Sequence, residues 1–314
     1  MNDGTVVGLR PWLPWPLGRS RWWTQPVRAE RLAALRIGLA AVLLLDVLAT
    51  YLPHAADFYG RDSLGAPHVF AARFAGGHAY WSLLECAESP AVVRAAVLAW
   101  AAAAAGLLLG VATRLCAAAA WALSVSFTAV NLSVENAGDT VRTILLFYLM
   151  LCPCGAVWSL DAWLRRRRRG PGPFLVHPWP VRLLLVQLAC IYFRNGLHKV
   201  VGHDWIAGDS LYYVLGDLTL ARWSYVWLPV PYLLTRLLTW LVMAWELLFP
   251  VLLLWRRLRL PVLCFGAAFH LGIWACLELG GFAPYMLCLY LPLLPWERWA
   301  DRRQAPPVLS PAAP

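Results

Sequence analysis

The sequence predicts an all-α fold, a polytopic bundle of about eight transmembrane helices with both termini in the cytoplasm. Of its 314 residues, 61% are hydrophobic and 14% are charged, whereas soluble domains average about 45–50% and about 25%. Apolar runs such as 32–52 and 232–255 reach the ~20 residues needed to cross the hydrocarbon layer. The 19 tryptophans are typical of a chain with two membrane–water interfaces. A soluble protein with an unusually apolar core does not account for these runs.

The apolar runs define eight predicted spans. The last one is short and turns sharply from the seventh at Gly280 and Gly281. We interpret 1–30 as a cytoplasmic segment without the apolar core of a signal peptide, 31–300 as the transmembrane domain, and 301–314 as a disordered cytoplasmic tail. In order, the spans are approximately 32–52, 91–111, 115–134, 141–158, 181–201, 232–255, 261–279 and 281–296.

The charges set the orientation. With eight spans and the N-terminus inside, most arginines fall in inner segments, including the run Arg165–Arg169, while acids such as Asp204 and Asp209 fall outside. This agrees with the positive-inside rule. This distribution of charge indicates a multi-pass protein of the cell membrane whose partner is the lipid bilayer, and the net charge of +10 does not by itself indicate nucleic-acid binding.

Two outer segments, 53–90 and 202–231, are long enough to fold over the membrane. The second is rich in aromatic residues, which usually settle at headgroup depth as an interfacial belt. A lid over a membrane-facing cavity is the alternative. The aromatic residues are Trp205, Tyr212, Tyr213, Trp223, Tyr225 and Trp227.

The cysteines and histidines show no metal-ligand spacing. Seven of the eight cysteines lie in or at the ends of apolar runs, and only Cys86 lies in a sizeable polar loop, so no disulfide framework is indicated. Cys152-Pro153-Cys154 has no second ligand pair, and we interpret it as helix-end packing. We predict no metal site.

The polar residues of the fifth span are the main candidates for function. Asn195, His198 and Lys199 are spaced to share one helix face, and Arg194 lies four residues before His198. Lys199 is the only lysine in the chain. A lysine that is partly buried can lose its proton and act as a base, which an arginine cannot. The alternative is a lysine that anchors the outer end of the helix by snorkelling.

Depth along the spans suggests partners for these residues. At about 1.5 Å per residue, Asp46 and Arg194 both lie roughly 10 Å below the outer boundary, with Asn131 and His270 at similar levels. Together with Asn195 they could line one outward-facing polar cavity in which Asp46 neutralises Arg194. Glu246 lies deeper and is assigned to helix packing. A polar network that only holds the bundle together is the alternative for the whole set.

Several motifs, in order along the chain, resemble one family. The stretch Ile191–Lys199, followed by Asp204-Trp205 and Gly208, is similar to the central motif of the vitamin K-dependent gamma-glutamyl carboxylases and of their bacterial relatives, the horizontally transferred transmembrane (HTTM) domain proteins. The other matching pieces are Arg36-Ile37-Gly38, Leu109-Gly110 with Arg114, Trp158-Ser159-Leu160-Asp161 and Phe269-His270. The resemblance covers roughly residues 30–300.

The resemblance implies a catalytic role for Lys199. In the carboxylases the matching lysine deprotonates vitamin K hydroquinone; oxygen then converts the quinol to an epoxide, and the strong base formed abstracts a proton from glutamate before CO2 adds. By this resemblance Lys199 is the base, His198 and His270 could tune it, and a reduced quinone of the vitamin K or menaquinol type is the cofactor.

Two departures from the carboxylases limit how much of the carboxylase activity the resemblance implies for this chain. This chain reads Glu135-Asn136-Ala137-Gly138-Asp139 where the carboxylases carry an Asn-His segment. It also ends soon after its last span, without the large extramembrane domain that grips the substrate propeptide. We therefore do not expect carboxylation of a protein that bears a propeptide.

Three functions remain open from the sequence. The first is a quinol-using membrane enzyme with Lys199 as base. The second is a non-catalytic membrane factor for the maturation, export or immunity of a secreted peptide or protein. The third, transport by Asp46, Arg194 and His270, ranks last because the sequence shows no paired broken helices in two halves.

Overall fold

The computed structural model describes residues 23–59, 63, 82–84, 87, 89–131, 134–169, 175–223, 229–294 and 296. Most of these residues are helical. In chain order the helices are α1 (Glu30–Asp46), α2 (Ala55–Tyr59), α3 (Pro90–Leu109), α4 (Thr113–Val130), α5 (Ala137–Leu151), α6 (Leu160–Arg169), α7 (Trp179–Val200), α8 (His203–Ala207), α9 (Ser210–Gly216), α10 (Tyr232–Leu254), α11 (Arg256–Cys276) and α12 (Phe282–Cys288).

The chain forms two compact units. The larger unit is Val27–Val176 with Glu278–Pro314, and the smaller unit is His177–Leu277 with Met1–Pro26. In the larger unit α1 packs against α3 and α12, α3 against α4, and α5 against α4 and α12. In the smaller unit α10 packs against α7, α8, α9 and α11.

A small β-ribbon departs from the predicted all-helical fold. Strands β1 (Val27–Arg28) and β2 (Leu175–Val176) pair antiparallel in the larger unit, with Val27 opposite Val176. The ribbon ties the chain just before α1 to the chain that follows α6. The sequence analysis did not predict it because two residues per strand give no periodic pattern.

The helix ends follow local sequence signals. Ser89 caps α3, accepting a hydrogen bond from the Val92 amide, with Pro90 at the first helical position. Gly110 ends the same helix in the left-handed region at φ 75°. Asn136 and Asp139 form a capping box that starts α5.

The fourth predicted span, 141–158, has wrong boundaries. Because of the capping box at Asn136, α5 begins at Ala137. It ends at Leu151, where Pro153 has no amide hydrogen with which to continue the helical ladder. Cys152 and Cys154 lie buried just past this end, in agreement with their interpretation as helix-end packing residues.

One helix is distorted where it ends. After Asp46, α1 continues as a π-helical turn over Val47–Tyr51, in which the Leu52 amide donates to the Val47 carbonyl at 2.8 Å. The wider turn brings residues five apart onto one face of the helix, so Tyr51 lies on the same side as Asp46. Such turns occur frequently at functional sites.

Each unit has an aromatic core. In the larger unit the rings of Trp100 and Phe127 stack with centroids 5.1 Å apart, and the Tyr51 ring packs edge-on against Trp100 at 4.8 Å. In the smaller unit Tyr192 packs against Trp245 at 4.5 Å and Phe249 at 4.4 Å.

Five described helices are long and apolar enough to cross a membrane: Glu30–Tyr51, Pro90–Leu109, Thr113–Val130, Tyr232–Leu254 and Arg257–Cys276. They correspond to the predicted spans 32–52, 91–111, 115–134, 232–255 and 261–279. The other three predicted spans also contain helix. The span 181–201 contains α7, which is long enough but carries several charged and polar side chains; the span 141–158 contains α5; and the span 281–296 contains α12 followed by the 3-10 turn Leu291–Leu293.

The structure therefore confirms a largely helical chain with several candidate spans, while the count of eight and the cytoplasmic termini stay predictions. Residues 1–22 of the predicted N-terminal segment and the whole predicted tail, 301–314, lie outside the described residues. Most of the loop 53–90 also lies outside them, as do Tyr225 and Trp227.

Candidate functional site

Lys199 forms an ion pair inside the smaller unit. It lies one residue before the end of α7, and its ammonium group contacts the carboxylate of Glu246 on α10. The Lys199 side chain is 16% exposed and that of Glu246 is 4% exposed. The pair is thus largely withdrawn from solvent, with the lysine as the accessible member.

An aromatic ring completes the surroundings of Lys199. Its Nζ atom lies 4.7 Å from the centre of the Trp205 ring on α8, a distance typical of a cation–π contact. The chain turns back between the two residues at Gly202, whose amide donates to the Lys199 carbonyl at 3.1 Å. The motif residues Lys199 and Trp205 therefore form one local site.

Gly196 explains how α7 and α10 come close enough for the ion pair. It lies three residues before Lys199, and a Cβ atom placed on it would be 2.7 Å from the Leu247 backbone nitrogen. Only a glycine fits at this distance from another helix backbone. The small residue sets the close approach of the two helices at the level of Glu246.

This geometry corrects the predicted depths. Helix rise alone predicts Lys199 near the outer boundary and Glu246 far below it, whereas the two side chains are in contact. The depth estimate assumed that both helices begin at one common boundary. In the structure α7 ends beside the middle of α10, and Glu246 lies about 21 Å along α10 from Tyr232 at 1.5 Å per residue.

The segment that follows Lys199 packs along the N-terminal half of α10. The Trp240 indole donates to the Ile206 carbonyl at 3.0 Å, and the Thr239 hydroxyl accepts from the Leu211 amide at 3.2 Å. The Tyr232 hydroxyl donates to Asp209 at 2.5 Å. Helices α8 and α9 are thereby fastened along α10. Whether the aromatic residues of 202–231 form a headgroup belt or a lid stays a prediction, although Trp205 does lie over Lys199.

The other predicted site residues of α7 are more exposed than Lys199. Arg194, Asn195 and His198 are exposed, whereas Tyr192 and Gly196 are buried. Residues 192, 196 and 199 recur at helical spacing and face α10. The structure therefore groups Lys199 with Gly196 and Tyr192, and it does not bury His198 beside it.

His270 lies in the core of the smaller unit. Its side chain is buried, and its Nε2 atom is 2.6 Å from the Tyr192 hydroxyl. Tyr192 precedes Lys199 by two helical turns, about 10 Å at 1.5 Å per residue. His270 is thus linked to α7 through Tyr192, two helical turns before the ion pair. A direct role in tuning Lys199 stays a prediction.

A second polar cluster lies in the larger unit around Arg142, whose side chain is fully buried. Its Nη1 atom is 2.9 Å from Asp139 and 3.3 Å from Asp46, and it donates to the Tyr51 hydroxyl at 3.1 Å. The Tyr285 hydroxyl donates to Asp46 at 2.7 Å. The two carboxylates neutralise the guanidinium, as a buried charge requires, although its Nε atom has no hydrogen-bond partner among the described residues.

This cluster gives Asp46 a different partner from the predicted one. The sequence analysis expected Asp46 to neutralise Arg194, and in the structure it is paired with Arg142. Asn131, another member of the predicted cavity, donates to the Phe58 carbonyl at 3.1 Å. Asp46 and Asn131 belong to the larger unit, and Arg194, Asn195 and His270 to the smaller one. The common cavity stays a prediction.

Residues of three sequence motifs contact one another in a further cluster of the larger unit, around Arg36. Arg36 is fully buried and donates to the carbonyls of Leu107 at 2.6 Å, Leu108 at 2.9 Å and Trp158 at 2.5 Å. The Asp161 carboxylate accepts from the Ala112 and Thr113 amides, 3.0 and 3.1 Å away, and so caps α4. These contacts join the α3–α4 turn to the start of α6.

Residues 24–299 match the model that describes the HTTM domain. The chain belongs to the HTTM domain family. No curated protein and no solved structure matches it. The family match and the apolar helices together show that this HTTM protein is a multi-pass integral membrane protein.

Most of the motif residues of the HTTM protein thus belong to two separate clusters of contacts. Arg36-Ile37-Gly38, Leu109-Gly110 and Trp158–Asp161 build the junction of α1, α3, α4 and α6. The motifs Ile191–Lys199 and Asp204-Trp205 supply Lys199 and Trp205 to the ion-pair site, whereas Gly208 lies against Arg236 and Trp240. Only the second place combines a partly accessible basic group with an acid, so we take it as the candidate functional site.

Three residues of these clusters are not among the predicted site residues: Glu246, Tyr192 and Arg142. Glu246 was the only acid in its span, and that was a usable signal for a partner of the only lysine. Tyr192 lies within the quoted motif, seven residues before Lys199. Arg142 follows Asp139 by three residues, the spacing of a helical ion pair, inside an otherwise apolar run.

Proposed function

We propose that this HTTM protein is a membrane enzyme that uses a reduced quinone, with Lys199 as the base and Glu246 as its proton partner. The observation that carries the proposal is the contact between the only lysine of the chain and an acid buried on a neighbouring helix. Ionisable residues within membrane helices are costly and mark functional sites more often than passive ones.

The pair supports proton transfer because its two groups can share one proton. Transfer of the shared proton from the ammonium group to the carboxylate leaves the nitrogen lone pair of Lys199 free. A base within hydrogen-bond reach could then accept the proton of a quinol hydroxyl. Arginine would not serve, since its guanidinium stays protonated.

The surroundings fit a flat, weakly polar ligand such as a quinol. The accessible part of Lys199 lies beside the half-buried ring of Trp205, which offers an aromatic surface. Leu197 and Val201 on either side are exposed and apolar, as expected for a site that a lipid-soluble molecule enters from the bilayer. When bound, the quinol supplies reducing electrons to dioxygen; the chain itself supplies the base, its partner and the aromatic contact.

The proposal is tested by oxygen uptake in membranes that contain the wild type, Lys199→Ala or Lys199→Arg, with menaquinol or vitamin K hydroquinone as the reductant. We expect quinol-dependent uptake in the wild type and its loss in both variants. Arg94→Gln, at an exposed position of α3, is the control and should keep full activity. No uptake by the wild type would refute the enzymatic role and favour the non-catalytic role toward a secreted peptide or protein.

We also propose that the protein lies in the cell membrane with eight spans and both termini in the cytoplasm. The support is the helix found in each of the eight predicted spans and the arginine run at the end of α6. A cysteine placed at Gly170 should react with an impermeant thiol reagent only from the cytoplasmic side. Labelling of intact cells from outside would contradict the topology.

A further inference from the structure

Helix α6 has an exposed apolar stripe that no described residue covers. Leu160, Trp163 and Leu164 recur at positions i, i+3 and i+4 and so share one face of the helix. Their exposures are 41%, 48% and 46%. A helix that faced water alone would place polar residues at all of these positions.

Arginines border this stripe on both sides. Arg165 and Arg168 lie on one side of it and Arg166 on the other, while Arg167 continues the stripe at i+7. Arg166, Arg167 and Arg168 are exposed, and the Arg167 guanidinium lies 3.8 Å from the centre of the Trp163 ring. Leu and Trp flanked by arginines is the pattern of a helix that lies in a membrane surface.

The orientation of α6 is fixed by the rest of the larger unit. The Ser159 hydroxyl accepts from the Ala162 amide at 3.0 Å and caps the helix, and the Asp161 carboxylate is held by the amides at the start of α4. Arg165 donates to the Ala156 carbonyl at 3.0 Å. The stripe therefore lies on a helix that is held in place by these hydrogen bonds and that begins nine residues after the end of α5.

We propose that α6 is an interfacial helix that binds anionic phospholipid headgroups at the membrane surface. Leu160, Trp163 and Leu164 enter the boundary between headgroups and acyl chains, and the exposed arginines contact the phosphates. Charge complementarity selects this partner, because five consecutive arginines beside a membrane helix attract anionic lipid at about 1 kcal/mol each. Arginine also matches phosphate geometry with paired hydrogen bonds.

The test is a titration of the detergent-solubilised full chain with phosphatidylglycerol or phosphatidylcholine, with bound lipid quantified by mass spectrometry. The variant Arg166→Gln/Arg167→Gln/Arg168→Gln should bind phosphatidylglycerol roughly 100-fold more weakly, since about 1 kcal/mol per arginine is about fivefold. The control Arg94→Gln/Arg222→Gln removes two charges from exposed positions that the proposed topology places on the other side of the membrane, and it should bind nearly as the wild type does.

Two further variants keep the test informative if the triple variant does not fold. Arg168→Gln alone should lose about fivefold in affinity for phosphatidylglycerol. Trp163→Ala/Leu164→Ala should weaken binding but keep its salt dependence, because the charges remain. The proposal is overturned if phosphatidylcholine binds as tightly as phosphatidylglycerol, or if the control set loses as much as the triple variant. Unchanged binding by the triple variant also overturns it and would favour an acidic macromolecule in the aqueous phase as the partner.

Discussion

The carboxylate of Glu246 is in contact with the ammonium group of Lys199, so an acid from the middle of α10 holds the only lysine of the chain. The two residues are 47 positions apart in sequence. Their helices meet at Gly196, and the Lys199 Nζ atom lies 4.7 Å from the centre of the Trp205 ring. The proposed function depends on this pair, whose contribution to stability can be measured apart from any activity.

Removal of Glu246 alone should destabilise the protein. Glu246→Ala leaves the ammonium group of Lys199 largely buried without its counter-charge, which costs on the order of 3 kcal/mol. Lys199→Met/Glu246→Leu, which removes both charges, should cost less than Glu246→Ala. Thermal unfolding in detergent measures the difference. Asp57→Ala, at a side chain that is 67% exposed, is the control and should change the midpoint very little. Equal losses for Glu246→Ala and the control would contradict a stabilising pair.

Gly196 should not tolerate even one methyl group. In Gly196→Ala the new Cβ would meet the backbone of Leu247 at 2.7 Å, so α7 and α10 must separate and the ion pair must stretch. We expect a loss of about 1–3 kcal/mol in the free energy of unfolding. Gly272→Ala is the matched control in α11, since a Cβ there meets nothing within 4 Å. It should be neutral or slightly stabilising, because alanine favours helix by about 1 kcal/mol over glycine. An equal loss of unfolding free energy in both variants would exclude a special role for the contact between Gly196 and the backbone of Leu247.

Arg142 should be essential for folding of the larger unit. Arg142→Leu leaves Asp46 and Asp139 without their shared guanidinium in a buried setting, at a cost of about 3–5 kcal/mol. We expect little monodisperse protein after solubilisation, as measured by size-exclusion chromatography. Arg94→Leu, at an exposed position of α3, should yield monodisperse protein. A normal yield of Arg142→Leu would show that the cluster is dispensable for the fold.

Gly110 should be sensitive for two separate reasons. Its φ of 75° costs a residue with a side chain roughly 1 kcal/mol, and a Cβ there would lie 2.3 Å from that of Ser159 and 2.7 Å from Nη1 of Arg36. Gly110→Ala should therefore lower the unfolding midpoint and loosen the junction of α3, α4 and α6. Limited proteolysis between α3 and α4 should become faster. Gly216→Ala, where a Cβ meets nothing within 4 Å, should leave the proteolysis pattern unchanged.

Much of the fold could be predicted because long apolar runs have few alternatives. A run such as 232–255 is helical for reasons of length and composition, and the structure places α10 there. Boundaries were less predictable: Pro153 ends α5 early, and the π-helical turn after Asp46 has the same apolar composition as the regular helix before it. Composition does not distinguish the two kinds of turn.

Of the two members of the ion pair, only Lys199 could be predicted as a functional residue. Lys199 stands out because it is the only lysine and lies within a polar motif. Depth arithmetic separates Lys199 from its partner Glu246, because it does not include where each helix begins relative to its neighbour. The close approach at Gly196 and the return of the chain at Gly202 set that register. Both are tertiary features that the one-dimensional pattern does not contain.

The most direct measurement for the central claim is the rate of quinol oxidation by dioxygen in reconstituted wild type, Lys199→Ala, Glu246→Gln and the double variant. If Lys199 and Glu246 act as one proton-transferring pair, each single variant should lose at least about 100-fold, as expected for a lost general base. The double variant should then be no slower than Lys199→Ala, since residues that act as a unit are not additive. A wild type without quinol oxidation, or a Lys199→Ala variant that matches the wild-type rate, would contradict the account.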